Sequence, residues 1–234
     1  EATKSTFVRT FTHELRSPVG VIYSLLHNIT DGYAGEITSL QRDLIQRAIR
    51  RTDFLQELID DLLDLSAGKV EVKSTQQAEP CSVHQILEKV VKRHEIPAQE
   101  KKIDLQWLDR DESKGAIVIA TPDGLDRVFN NLVSNAVKYT PSGGQVRINI
   151  KTTENEIAIT VEDTGIGIPE ESLPHLFNEF YRAPNAKEIE NKGTGLGLAI
   201  VKDTVNLFGG SVSVESKVGA GSRFTVTFPT VNEP

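Results

Sequence analysis

From residue 4 to residue 65, apolar side chains recur at alternating spacings of three and four. Val8, Phe11, Leu15, Pro18, Ile22, Leu25 and Ile29 keep this rhythm in the first stretch. Ile45, Ala48, Thr52, Leu55, Ile59 and Leu62 keep it in the second, which runs from about Ser39 to Leu65. Such a heptad seam belongs to helices that pack on one another. Leu44, Ile49, Phe54, Leu58 and Leu63 widen the second stripe. Between the two lies NITDGYAGEIT, whose two glycines and aspartate are turn signals. The pattern predicts an all-α antiparallel hairpin. Two helices cannot enclose so wide a stripe, and a second copy of the chain completes a four-helix bundle by twofold symmetry.

The period then changes. SAGKVEVKSTQQAEP is polar and ends in proline, which reads as a linker. Ser82 and Gln85 form a capping box for a helix to about Gln99. Clustered or alternating β-branched residues predict strands at 102–108, 116–120, 145–153, 156–162, 211–216 and 222–228. Thr121-Pro122 opens a helix through Tyr139, with proline in its first turn, and another is expected from Gly195 to Phe208. Helices mixed with antiparallel hairpins imply an α+β layered sandwich. The expected division is residues 1–68 for the hairpin domain, 69–80 for the linker and 81–234 for the second domain.

Composition narrows the partners. The net charge is −7, with 9 basic and 11 acidic residues up to Lys73, so neither half is a polyelectrolyte. There is one tryptophan, Trp107, and no long Lys/Arg block, which argues against nucleic acid as a partner. The single cysteine, Cys81, cannot form an internal disulfide and fits a reducing compartment. No apolar run approaches the ~20 residues that cross a bilayer, and no secretory leader is visible. Methionine is absent, the initiator included. The expectation is a soluble cytoplasmic fragment, attached to a membrane only through a region before residue 1, if at all.

Four short stretches carry candidate chemistry. In THELRSP, the heptad count places His13 opposite the seam, with Glu14 on the flank. The imidazole is then either an ordinary surface histidine or a nucleophile beside a carboxylate that can take its proton. Pro18 lacks an N–H and clashes with the carbonyl of residue 14, so the helix should bend or loosen just after His13. NNLVSNAVKY sets Asn131 and Asn135 on one helix face, followed by Lys138 and Tyr139; an amide oxygen can ligate Mg²⁺ and a lysine can neutralise phosphate. DTGIGIP ends a strand at Asp163, and Gly165 and Gly167 let the backbone approach a ligand. KGTGLGLAI sets Gly193, Gly195 and Gly197 before a helix whose N-terminus favours anions. Neither glycine stretch has the spacing of a Walker loop or a dinucleotide fingerprint. Their order describes one nucleotide pocket with Mg²⁺.

The sequence resembles the catalytic core of a two-component sensor histidine kinase over about residues 4 to 230. HELRSP is similar to the H box, NNLVSNAVKY to the N box, DTGIGIP to the G1 box, LFNEFYR to the F box and GTGLGLAI to the G2 box. The resemblance implies a dimerisation and phosphoacceptor domain followed by a GHKL-type ATP-binding domain of the Bergerat fold. It implies that His13 is the phosphoacceptor, Glu14 its acid/base partner, and Ser17 a hydroxyl able to orient water for dephosphorylating a partner. Many members carry Thr or Asn at that last position. Asn135 would ligate Mg²⁺, with Asn131, Lys138 and Tyr139 lining the phosphates and base. Asp163 would accept from the adenine amino group, with Gly165 and Gly167 making room. Phe177 and Phe180 would pack under a lid formed by residues 183–192, and Arg182 would contact phosphate. Gly193, Thr194, Gly195, Leu196 and Gly197 would form the hinge and phosphate-binding loop. The implied cofactors are ATP and Mg²⁺, and the implied partners are a second copy of the chain and the receiver domain of a response regulator. Two other readings remain open: an ATPase or ATP-binding regulator that does not use His13, and a non-catalytic dimeric scaffold.

Overall fold

The computed structural model describes residues 2–69, 78–108, 110, 112–189 and 193–230. The side chains of residues 2–13, 57, 64–69 and 112 lie outside that description. Two long helices come first, α1 (Ala2–Thr30) and α2 (Ser39–Lys69). A capping box starts α2: the Gln41 N–H donates to Thr38 Oγ1 (3.2 Å), and the Thr38 N–H donates to Gln41 Oε1 (2.8 Å). The helices pair along their length, and α1 stays helical through Pro18. Ile59 and Thr52 are buried. Other seam and flanking residues are not: Val21 is 57%, Ile22 51%, Leu25 56% and Leu44 56% exposed in the single chain.

The second unit is the α+β sandwich that the pattern predicted. In chain order it contains β1 (Glu79–Ser82), α3 (Val83–Glu100), β2 (Asp104–Trp107), β3 (Ile117–Ala120), α4 (Pro122–Tyr139), β4 (Gln145–Thr152), β5 (Glu156–Asp163), α5 (Pro184–Ile189), α6 (Gly197–Leu207), β6 (Ser211–Lys217) and β7 (Gly221–Pro229). Five strands form one sheet in the order β2-β4-β5-β7-β6, with β2 parallel to β4 and the other pairs antiparallel. β1 and β3 form a separate antiparallel pair. β1 begins inside the stretch read as linker; residues 70–77 of that stretch lie outside the described residues.

The caps follow from the sequence. Ser82 accepts the Gln85 N–H at the start of α3, and Thr121 accepts the Gly124 N–H at the start of α4. Strand alternation builds the core: Val146, Ile148 and Ile150 of β4, Ile157, Ile159 and Val161 of β5, and Phe224, Val226 and Phe228 of β7 all point inward. Leu125, Val128, Phe129, Leu132 and Val133 of α4 cover them. Each large apolar side chain so buried contributes about 1.5–3 kcal/mol.

The units also touch. Leu196 and Ile200, at the start of α6, are buried against Leu58 and Leu62 of α2. Between Leu58 and Leu62 in sequence, Asp60 of α2 pairs with Arg16 of α1 on the hairpin surface.

Candidate nucleotide-binding site

The amphipathic face of α4 that buries Leu132, Val133 and Ala136 leaves Asn131, Ser134, Asn135 and Lys138 in a stripe at helical spacing. This stripe forms one wall of a cleft holding about 1050 Å³ of empty space, counting its open mouth. The C-terminal end of α4 is fixed from outside. Lys101 Nζ donates to the carbonyls of Val137 (2.9 Å) and Lys138 (2.8 Å), and the Ile166 N–H donates to the Tyr139 carbonyl (3.2 Å). Lys138 and Tyr139 are thereby held at the cleft.

β5 supplies the carboxylate. The two-residue period that buries Ile157, Ile159 and Val161 puts Asp163 on the same inward face, paired in register with Ser222 of β7. Asp163 is 7% exposed. Its Oδ1 accepts the backbone N–H of Gly165 (2.8 Å) and of Ser222 (3.3 Å). Burial pushes the carboxyl up from 3.8 to about 6; the two N–H donors lower it and the neighbouring Glu162 raises it slightly.

The loop after β5 closes on the sheet. Gly167 has φ +67, and a Cβ there would stand 2.0 Å from the Lys217 carbonyl oxygen, so neither the conformation nor the space admits a side chain. Asn185 of α5 donates its amide to the Gly167 carbonyl (2.8 Å) and so ties the segment read as a lid to this loop. Residues 190–192 of that segment lie outside the described residues.

The far end of the cleft is cationic. A Cβ at Gly193 would stand 3.2 Å from Lys138 Nζ and 3.5 Å from the Arg182 guanidinium. Arg182 also donates to the Gly193 carbonyl (3.4 Å). Gly197 sits over Asn131. Apolar walls at Ile168, Leu176, Leu198 and Phe224 complete the cavity. An apolar slot with a buried carboxylate, continuing into a glycine loop flanked by lysine and arginine, suits a purine base joined to a phosphate tail.

Eleven of the residues singled out from sequence converge on this cleft: Asn131, Asn135, Lys138, Tyr139, Asp163, Gly167, Arg182, Gly193, Thr194, Gly195 and Gly197. Gly165 stands behind Asp163 and orients it. Leu196 does not face the cleft, because its fully buried side chain packs against α2. The two aromatics expected beneath the lid separate. Phe177 packs on the main core, whereas Phe180, at φ +63, is 58% exposed. Tyr181 takes the inward place, next to the His175 ring. Glu14 and Ser17 are exposed on α1, and the orientation of the His13 side chain lies outside the description.

Asp61 and Ser222 join the site without a sequence signal. Asp61 looks like any charge on a solvated helix face, and the role of Ser222 depends on strand register. The hydroxyl of Thr194 donates to Asp61, which brings a residue of α2 to the rim of the cleft.

Two family models divide the chain. His Kinase A (phospho-acceptor) domain matches residues 3–69, and Histidine kinase-, DNA gyrase B-, and HSP90-like ATPase matches residues 120–232. The chain belongs to the two-component sensor histidine kinases, as their catalytic core. It is 34% identical over its whole length to the circadian input-output histidine kinase CikA of Synechococcus elongatus. It is 32% identical, again over its whole length, to the sensor-like histidine kinase SenX3 of Mycolicibacterium smegmatis. It spans 31% of the first relative and 59% of the second. Among solved structures, full-length ShkA in complex with AMPPNP superposes with a TM-score of 0.73 at 24% identity, covering 98% of this chain and 47% of that one. The ATPase family match, over residues 120–232, covers the domain that holds this cleft.

Proposed function

We propose that this core transfers the γ-phosphoryl group of ATP to His13 and then to an aspartate of a response-regulator receiver domain. The observation that carries this reading is the single cleft in which Asn131, Asn135 and Lys138 face Asp163 and the glycine loop, on the same chain as the helix bearing His13 and Glu14. The bond between the β–γ bridging oxygen and the γ-phosphorus breaks and an N–P bond to one ring nitrogen forms. Glu14 takes the proton from the other nitrogen. Lys138 and Arg182 neutralise the tail, and the buried Asp163 accepts from the adenine amino group through the carboxylate oxygen opposite its two backbone donors.

The residues present fit Mg²⁺. Asn135 lines the cleft one helical turn before Lys138 and would offer one amide oxygen, and Mg²⁺ takes few protein ligands, completing its shell with phosphate oxygens and water. Among the described residues no cluster of three or more His, Cys, Asp or Glu competes for it. When bound, the ion would supply charge neutralisation to the phosphate tail.

The exposed seam of α1 and α2 closes against a second copy of the chain. Residues 1–68 act as the dimerisation and phosphoacceptor domain and 81–234 as the ATP-binding domain, joined by 69–80. Ser17 supplies the hydroxyl for phosphatase activity toward the regulator. The core works in the cytoplasm; no helix among the described residues is long and apolar enough to cross a membrane. Thermal unfolding with and without Mg-ATP tests the site. The native chain gains stability as ligand saturates it. Asn135→Ala gains less, and no gain in the native chain overturns the reading.

A further inference from the structure

The Thr194 hydroxyl has one proton. It accepts the Leu196 backbone N–H (3.2 Å) and donates its own proton to the Asp61 carboxylate. This carboxylate comes from α2, outside the ATP-binding domain, yet it lines the cleft at its cationic end, with Lys138, Arg182 and Gly193. The adjoining packing of Leu196 and Ile200 on Leu58 and Leu62 holds it there. An anion already engages the glycine loop in this arrangement, and it belongs to the protein.

We infer that Asp61 is a specificity-determining residue that sets the preference of the cleft between nucleoside di- and triphosphates. The inference rests on the nucleotide reading of the cleft. A terminal phosphate reaching the glycine loop competes for the Thr194 proton and for the same cations, and meets a like charge. A diphosphate ends one group earlier and leaves the Asp61–Thr194 bond in place. The discrimination has a mechanical consequence. Whatever makes a triphosphate disfavour this contact also makes the triphosphate disfavour seating of α6 on α2, by reciprocity of coupled equilibria. The γ-phosphate therefore loosens the ATP-binding domain from its own hairpin, and the diphosphate lets it settle again.

The test is calorimetric titration of the full chain with Mg²⁺ and either ADP or the β,γ-imido analogue of ATP, comparing the native chain with Asp61→Ala and Asp61→Asn. Asp61 lies partly exposed on a helix, where alanine is well tolerated. Both variants should bind the imido analogue more tightly relative to ADP, with the ratio of dissociation constants moving by about tenfold for the alanine. A ratio that stays within about twofold of the native value would overturn the inference. So would weaker binding of the analogue with ADP spared, which would make Asp61 a phosphate- or metal-positioning group. Failure of the native chain to bind either nucleotide would remove the nucleotide reading, and this inference with it.

Discussion

A Cβ placed on Gly197 falls 2.6 Å from Asn131 Oδ1. The first residue of α6 is thus matched to an amide on the neighbouring helix, and the two close one corner of the cleft. Gly197→Ala should leave the fold intact, because the obstructing atom is the end of a side chain that can rotate and alanine suits a helix better than glycine. The melting temperature should change by no more than about 4 °C. Asn131 must turn away, so ATP affinity should fall by about tenfold or more, as read by calorimetry. Loss of stability with affinity retained would show that the glycine serves only packing.

Gly167 makes the opposite kind of demand. Its obstruction is the Lys217 backbone, 2.0 Å from the added atom, and its φ is +67. Gly167→Ala should destabilise the domain by about 2–4 kcal/mol in urea unfolding, as strain and clash combine. Gly143 has φ +84 with nothing within 4 Å, so Gly143→Ala should cost only about 1 kcal/mol. Equal costs at the two sites would contradict the close approach of the loop to β6.

Much of this was legible in the residues, for reasons that also mark the limits. Ser82-x-x-Gln85 and Thr121-Pro122 fixed the starts of two helices within a residue, because caps are local chemistry. The strand runs from 145, 156, 211 and 222 fall within a residue or two of their observed ends, because alternation is local too. β1 escaped notice: its four residues include a proline and are ordered by pairing with β3, some forty residues away. In the site, the glycines and asparagines announced themselves by spacing. Leu196 was assigned to the phosphate loop with its glycine neighbours, yet its side chain faces α2, a direction that only the packing of the two units determines. Asp61 was invisible for the same reason.

Asp163 gives the cleft a pH signature. Its folded value near 6 lies above its ordinary 3.8, so the folded state holds the proton more tightly. The corresponding stability is fully present below about pH 4 and lost as the pH rises through about 6. Asparagine carries no such cost. The difference in stability, Asp163→Asn minus native, should therefore grow more favourable to the variant from pH 4 to pH 7, by at most about 3 kcal/mol. Thermal unfolding across that range checks it; a flat difference would contradict a buried carboxylate.

The same group should couple nucleotide binding to pH. Acceptance from the adenine amino group favours the ionised carboxylate, so native ATP affinity should decline as the pH falls below about 6, whereas residual binding by Asp163→Asn should not follow that titration. Parallel profiles for the two proteins would assign the decline to another group.

Pro18 lies inside α1, five residues after His13, and leaves the Glu14 carbonyl without its usual helical donor. Pro18→Ala should restore that bond and stiffen the helix beside the phosphoacceptor. The ratio of autokinase to regulator-phosphatase activity should shift by severalfold, measured with the receiver domain as substrate; an unchanged ratio would mean that the proline does not serve as a hinge.

The central claim is that the cleft exists to phosphorylate His13. Its most direct test is incubation with γ-labelled ATP and Mg²⁺, comparing the native chain with His13→Ala and Asn135→Ala. Label that is acid-labile, alkali-stable and missing from both variants is the predicted result. ATP binding by the native chain with no label on His13 would contradict it.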